Sequence, residues 1–563
     1  MDDPAFPTLT PAQLDRVRAA GRERATRAGD LLFREGDDAY DFFVVLDGAV
    51  HVYEDPECGR QIAEPVGPGQ FLGEVGLLLG EAVYATARVE QAGAVLQVPA
   101  ERFRQLVGAD TDLAETVLAA FTARRGIISD GSSGLQLVGS RTDPDAVHIA
   151  EFARRNYLPF RWLDLESDGD EAARVLAEHG RTVESLEDSG PVVLWGSETV
   201  LDSPSLLEIA RAVGIGREPD PEAVADLLIV GAGPAGLAAA VYGASEGLGT
   251  VLLDEMGAGG QASWSSRIEN YLGFPSGLSG TELATRATLQ ARKFGARFVT
   301  PHRAVALRRD GAGYAVDLAD GPPVRGRAVV LATGAHYRRL PVPHLRLYEG
   351  AGVYYAATEM EARGCGDATA VVVGGGNSAG QAAMFLSERA ARVLLLVRGD
   401  GLEASMSSYL SERVHASERV EVRTHAEVRG LEGAGPEGHR VLAAVTVEDT
   451  ETGETETVET PALFVFIGAE PCTAWLRPGQ ADGALGVQTD RHGFICTGSD
   501  VTDLDAWPDG QRPTTFETNL PGVFAVGDVR AGSTKRVAGA VGEGAVTVKA
   551  VHGRLATADT PQD

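Results

Sequence analysis

Short apolar runs broken by polar turns dominate the chain up to about residue 100. Two of them, FFVVL at 42–46 and AVHVY at 49–53, flank Asp47-Gly48, a turn signal that predicts a β-hairpin. Helical periodicity takes over near residue 100 and runs to about 128, ahead of a Gly/Ser-rich linker, DGSSG, at 130–134. From 135 to 215 strand and helix patterns alternate: LQLVGS, a helix around 145–156, FRWLDLE, a helix near 170–179, PVVLWG and a final helix at 204–213. A second linker, GREPDPEAVA, follows at 216–225. Beyond it the pattern is one of βαβ units with embedded β segments, which predicts parallel sheets covered by helices.

Two of the apolar runs end in glycine. LLIV at 227–230 leads into GAGPAG (231–236), and VVV at 371–373 leads into GGGNSA (374–379); each opens a stretch rich in helix formers. A G-x-G-x-x-G/A turn between strand and helix is the setting in which a dinucleotide pyrophosphate binds. Gly231 permits the tight turn, Gly233 lets the backbone approach the phosphates, and Gly236 lets the helix pack on the strand. The helix N-terminus, with Pro234 and Ala235 in its first turn, offers unpaired N–H groups and partial positive charge. Glycine turns also join strands to helices without a ligand, so one motif alone says little. Two in one chain suggest two dinucleotides and electron transfer between them.

Composition narrows the class. With 563 residues the chain has room for three or four domains, and 44% hydrophobic residues supply their cores. A formal charge of −30 argues against nucleic acid as a main partner. No apolar run reaches the length of a membrane span, and the first residues, MDDPAFPTLT, do not resemble a signal peptide, so a cytoplasmic location is expected. The cations are mostly Arg, as in a GC-rich bacterial genome. Cys58, Cys365, Cys472 and Cys496 are too scattered for a disulfide framework, a metal site or a C-x-x-C pair.

The strand after the first fingerprint ends in Asp254, placed to bond the ribose of a bound adenosine. GGQ (259–261), RIENYLGFP (267–275), ATG (332–334), FVFIGAEP (464–471) and GVFAVGD (522–528) follow in order. With these motifs, residues 222–560 resemble the flavoprotein part of bacterial thioredoxin reductases. The resemblance implies FAD on the first fingerprint, held further by Gly260, Gln261, Asn270, Ala332, Thr333, Gly334, Gly527 and Asp528. It also implies that Lys535, Arg536, Val537 and Ala538 lie beside the flavin ring, where a helix N-terminus would place positive potential. The second fingerprint resembles the family's inserted pyridine-nucleotide domain, with Gly374, Gly376, Asn377, Ser378 and Ala379 at the pyrophosphate. Arg398 stands where NAD enzymes usually place an acid and would pair with a 2′-phosphate, favouring NADPH over the alternative, NADH. Two further positions usually Arg in the family are Gly399 and Glu403, a departure that weakens this preference.

A larger departure concerns sulfur. The family places a C-A-T-C pair just before the second fingerprint; the matching stretch here has Ala356 and Glu359 at the two cysteine positions. Thiol–disulfide exchange through an internal pair therefore lacks both sulfurs. Glu359 is a candidate proton donor near the flavin, against the plainer reading of an acid at a helix start.

Residues 20–125 resemble a cyclic-nucleotide-binding domain through AGDLLFREGDDAYDFFVVLDGAVHVY (28–53) and FLGEVGLLLG (71–80). Gly73 and Glu74 match the phosphate cassette, which implies backbone N–H groups for the phosphate and a carboxylate for the ribose. Tyr84 occupies the position of the family's phosphate-binding Arg, with Arg88 as a remote substitute, so a docking or dimerisation role competes with cyclic-nucleotide binding. Residues 135–215 resemble a glutaredoxin-type thioredoxin fold, whose proline, usually cis, matches Pro191. The stretch at its active-site position, 141–145 (RTDPD), holds no cysteine and implies a spacer or protein-binding role.

The expected architecture is thus multidomain α/β. It comprises a cyclic-nucleotide-binding-like β-roll (1–130), a thioredoxin-like unit (135–215), an FAD domain (222–341 and 460–563) and an NAD(P)H domain (342–459), both dinucleotide domains being three-layer Rossmann folds. The expected activity is hydride transfer from NADPH to FAD, with electrons passing to a separate acceptor: a ferredoxin-like protein, a quinone, oxygen or an external disulfide protein. The alternatives are a redox or ligand sensor with little turnover, and thioredoxin reduction through external thiols. A homodimer is expected, and no metal.

Overall fold

The computed structural model describes residues 5–558 except 38, 56–59, 62–63, 80–82, 84, 130–134, 141–142, 157, 159, 184–185, 187–189, 196–198, 217, 266–267, 269–270, 350, 356, 358–360, 363, 404, 435–440, 480–481 and 509. The predicted linker at 130–134 and the positions of Tyr84, Asn270, Ala356 and Glu359 lie outside the described residues.

The N-terminal unit is an antiparallel β-roll. Its two long strands, Phe42–Asp55 and Thr86–Val98, pair along most of their length, flanked by Arg22–Thr26, Leu31–Phe33 and Phe71–Leu72. The hairpin predicted at Asp47-Gly48 does not form. Runs 42–46 and 49–53 belong to one strand, and the register against its partner slips around Asp47 and Gly48. Gly48 has φ +86, and a Cβ there would lie 2.4 Å from the Gln91 carbonyl oxygen. A left-handed glycine pressed against the neighbouring backbone makes a bulge that bends the strand without reversing it. The helical stretch after residue 100 is two helices, Ala100–Ala109 and Thr111–Ser129. Asp110 separates them: it closes the first through its backbone N–H and accepts the N–H of Leu113 at 3.1 Å in the second.

The middle unit has a four-stranded sheet in the order Thr199–Asp202, Val192–Trp195, Leu135–Val138, Phe160–Leu163, with only the last pair parallel. Helices Pro144–Arg155, Gly169–Glu178 and Leu206–Ala212 accompany it, close to the predicted alternation. The edge strand Thr199–Asp202 carries no strong apolar pattern, its residues being half-buried or exposed, and is the element the pattern missed. The peptide before Pro191 is trans, contrary to the glutaredoxin pattern; the cis peptide found among the described residues is Thr300–Pro301. Gly190, at φ +78, makes the turn into the strand, and Pro191 accepts the N–H of Ser203 at 2.8 Å.

Two units built around parallel strands complete the chain, each also carrying antiparallel strands. In the first, Val224–Val230 lies between Thr250–Leu253 and Val324–Leu331, with Arg297–Val299 and Val523–Ala525 also parallel. In the second, Thr369–Val373 lies between Ala462–Val465 and Arg392–Leu396, with Val353–Tyr354 and Val420–Arg423 at the edges. The central strands are continuous apolar runs, and Leu227, Leu228, Ile229, Val371 and Val372 are fully buried, because helices or other layers cover both faces. The two units are joined twice, and Ala335–Tyr337 pairs with Ala469–Pro471 across the two connections.

Candidate dinucleotide sites

The first fingerprint closes as its glycines require. Gly231 turns at φ +109, and a Cβ on it would lie 2.3 Å from the Ala332 carbonyl oxygen; a Cβ on Gly236 would lie 1.8 Å from that of Gly231. Gly233 is the N-cap of helix Pro234–Ser245 without any side-chain cap, so the first-turn N–H groups are left for a ligand. Among the described residues, the only atom a Gly233 Cβ would meet is the Cα of Gly260, 3.9 Å away. That space is of the kind a pyrophosphate occupies.

Motifs far apart in sequence converge here. Gly527, at φ +72, presses on Ala235, and Gly544 of helix Val537–Ala558 approaches the Ala235 carbonyl so closely that a Cβ would lie 2.1 Å from its oxygen. The Thr333 hydroxyl donates to the Cys472 carbonyl at 2.9 Å, and Cys472 N–H donates to Gly334 O at 3.0 Å. Gln261 Nε2 donates to the Ala335 carbonyl, holding the GGQ turn against the ATG segment. Asp254 sits at the end of its strand as predicted, but its carboxylate also organises the loop. It accepts N–H bonds from Ala232 at 2.8 Å and from Met256 and Gly257 at 2.9 Å.

Asp528 is partly buried and its carboxylate accepts no hydrogen bond among the described residues. Burial raises its pKa, against the opposing pull of Lys535. A hydroxyl-bearing ligand chain would supply the missing donors. Lys535 Nζ donates to the Asp528 backbone carbonyl at 2.8 Å and lies 4.3 Å from the Phe494 ring centre; burial lowers its pKa. Arg536 is exposed, and Val537 and Ala538 begin the 22-residue helix, so the predicted N-terminus is present.

Motif reading missed two contributors. Glu543 accepts the Gly527 N–H at 2.7 Å and pairs with Arg530, fixing the turn that carries Asp528. Tyr337 is buried enough that its pKa is raised, first by desolvation and then by Asp528. Neither has a local signature, since each acts through a partner distant in the chain.

The second fingerprint repeats the design. Gly374 turns at φ +140 with the Phe466 carbonyl 2.4 Å from an added Cβ, and fully buried Ala379 takes the third position. Gly376 caps helix Asn377–Ser387 without a side-chain bond, and among the described residues a Cβ on it would meet only Ser405 O at 4.0 Å. Ser378 is exposed, and Asn377 Oδ1 accepts the N–H of Ser407 at 2.8 Å. Arg398 is exposed just beyond strand Arg392–Leu396 and makes no hydrogen bond or ion pair among the described residues. Glu403 is also exposed and lies 3.5 Å from His415.

The described cysteines are poor nucleophiles. Burial pushes the Cys365 thiol up to about 11 and the Cys472 thiol up to about 12, and it raises that of Cys496. In the N-terminal unit Gly73 turns at φ +97, while Glu74 is fully buried. Both oxygens of Glu74 engage Arg124 Nη1, at 2.9 and 2.8 Å. Arg88 stacks over Tyr53 and donates to its hydroxyl at 2.8 Å, which commits the remote cation locally.

Two strand–glycine–helix sites, each on a parallel strand of a separate sheet, define a two-dinucleotide oxidoreductase. Residues 225–544 match the pyridine nucleotide-disulphide oxidoreductase family, and the chain belongs to it. Residues 23–110 match the cyclic nucleotide-binding domain. Thioredoxin reductase of Bacillus subtilis is 33% identical over 59% of this chain and 95% of its own length. That of Treponema pallidum is 32% identical over 60% and 98%. The crystal structure of thioredoxin reductase from Streptococcus pyogenes superposes with a TM-score of 0.51 at 29% identity, covering 60% of this chain and 99% of that one. The protein is an FAD-dependent pyridine-nucleotide oxidoreductase of thioredoxin-reductase type, whose homologues use FAD and NADPH.

Proposed function

We propose that the chain takes electrons from NADPH through FAD and delivers them to an acceptor other than an internal cysteine pair. The observation that carries this reading is the pairing of two uncapped glycine turns with a sequence that lacks any C-x-x-C. Bound FAD would supply the hydride acceptor and the store for two electrons. The chain's residues provide placement. Gly233 and the first-turn N–H groups of helix Pro234–Ser245 hold the pyrophosphate, Asp254 takes the ribose, and Asp528 accepts from the ribityl hydroxyls. The N-terminus at Val537 and Ala538 and the nearby Lys535 set a positive field at the ring. Gly374, Gly376 and the N–H groups at Asn377 and Ser378 orient the nicotinamide nucleotide, and Arg398 contacts its 2′-phosphate.

Anaerobic mixing tests the reading. NADPH is expected to bleach the flavin absorbance, and to do so more efficiently than NADH because Arg398 is the uncommitted cation at the strand end. Equal or reversed efficiency would remove Arg398 from the account, and no bleaching by either would remove the reading itself.

In the same reading, residues 135–215 form a thioredoxin-like unit without redox sulfur, the dinucleotide domains divide near 342 and 460, and the molecule acts as a cytoplasmic homodimer. Glu359 is a proton donor at most, its position lying outside the described residues. A second reading, a sensor with little turnover, is favoured by one contact. The cassette helix Glu74–Leu79 packs on helix Gly280–Lys293 of the first dinucleotide unit. Slow turnover with every acceptor, together with a ligand-dependent change in assembly, separates it from the enzyme. Cyclic AMP is expected to show no micromolar binding by calorimetry, since Tyr84 supplies no cation for the phosphate and Glu74 is engaged with Arg124. Micromolar affinity would overturn that expectation.

A further inference from the structure

We propose that the middle unit is a clamp on the FAD site, and that Asn156 is the positioning residue through which it acts. The inference rests on the assignment of FAD to the first fingerprint.

The loop after strand Thr250–Leu253 carries Asp254 and runs to Gly260, the two sides of the candidate ribose and pyrophosphate site. Met256 projects from this loop into the middle unit. It is 5% exposed and packs in the cluster formed by Leu135, Ile149, Phe152 and Leu158. An apolar side chain sunk in another unit's core fixes the loop in place.

Asn156 closes helix Pro144–Arg155 at the edge of that socket. Its Nδ2 donates to Phe152 O at 2.9 Å in its own helix and to Met256 O at 2.7 Å in the loop. The next residue, Gly257, is at φ +148, and a Cβ there would lie 2.8 Å from Asn156 Oδ1, so the amide fits against bare backbone.

From this contact a continuous set of hydrogen bonds reaches the fingerprint. Met256 and Gly257 donate to Asp254 Oδ1, Ala232 donates to Asp254 Oδ2, and Gly259 donates to Ala232 O at 2.8 Å. The orientation of Asp254 and the spacing of Gly233 from Gly260 therefore depend on a loop whose outer face is held by Asn156 and the Met256 socket. A thioredoxin-like unit without cysteines thereby acquires a role: it holds the loop in its binding shape before the cofactor arrives, which lowers the ordering cost of binding.

The test is FAD affinity, measured by titrating full-length apoprotein with FAD and following the quenching of flavin fluorescence. Asn156→Asp keeps the side chain's shape but turns a carboxylate toward the Met256 carbonyl, and is expected to weaken FAD binding about tenfold. Met256→Ala is expected to act in the same direction and carries the test if Asn156→Asp does not fold. Val138→Ala empties space in the other core of the same unit, beside Leu163 and Leu176. It is expected to lower the melting temperature without changing the FAD dissociation constant. Wild-type affinity in Asn156→Asp and Met256→Ala, or an equal loss in Val138→Ala, would overturn the clamp. Wild-type protein that never binds FAD would instead defeat the assignment on which the clamp rests.

Discussion

Gly233→Glu yields a colourless protein. The position faces open space bounded by the Cα of Gly260, so a Cβ there meets no backbone clash among the described residues, and the fold is expected to survive. What changes is charge. A carboxylate at the N-terminus of helix Pro234–Ser245 satisfies the N–H groups meant for the pyrophosphate and repels the phosphates themselves. Loss of FAD is expected to be complete on purification, read from the absence of absorbance near the flavin maxima, while far-ultraviolet circular dichroism stays unchanged. A mutant that remains yellow would refute the assignment of FAD to this turn.

The matching change in the second site, Gly376→Glu, separates the two dinucleotides. Gly376 is as open as Gly233, its only neighbour among the described residues for an added Cβ being Ser405 O at 4.0 Å. The variant is expected to stay yellow and to be reduced normally by dithionite. The rate of its reduction by NADPH is expected to fall about a hundredfold or more, since the new carboxylate faces the pyrophosphate of the incoming nucleotide and competes for the N–H groups of the helix start. Unchanged reduction by NADPH would place the nicotinamide nucleotide elsewhere, and loss of colour would mean that the two sites are not independent.

Both variants rest on features legible in the sequence because they are local. A strand, three glycine positions and a helix fit in a short window, and the backbone geometry they demand was found at Gly231 and Gly374. Asp254 directly follows strand Thr250–Leu253, a position legible for the same reason. Its contacts to Ala232, Met256 and Gly257 were not legible, because they depend on how the loop folds back. Glu543 and Tyr337 were missed on the same ground: Glu543 accepts the Gly527 N–H from the C-terminal helix, and the pKa of Tyr337 is raised by burial and then by Asp528.

The hairpin expected at Asp47-Gly48 shows the converse. The dipeptide permits a left-handed backbone, but whether that becomes a reversal or a bulge is decided by the partner strand. Here Gln91 and Ala92 lie against Gly48 and keep the chain running forward. Asn156 belongs with the illegible features: by sequence it is a helix-ending residue, and only the docking of two units makes it a contact to the Asp254 loop.

In the proposed function, electrons enter through two dinucleotides and leave without an internal disulfide. Anaerobic dithionite titration of the FAD-loaded protein tests it most directly, by counting electrons taken up per flavin. Full bleaching at two electrons per flavin, with no further uptake, is the expected result. Four electrons per flavin would reveal a redox-active disulfide and contradict it.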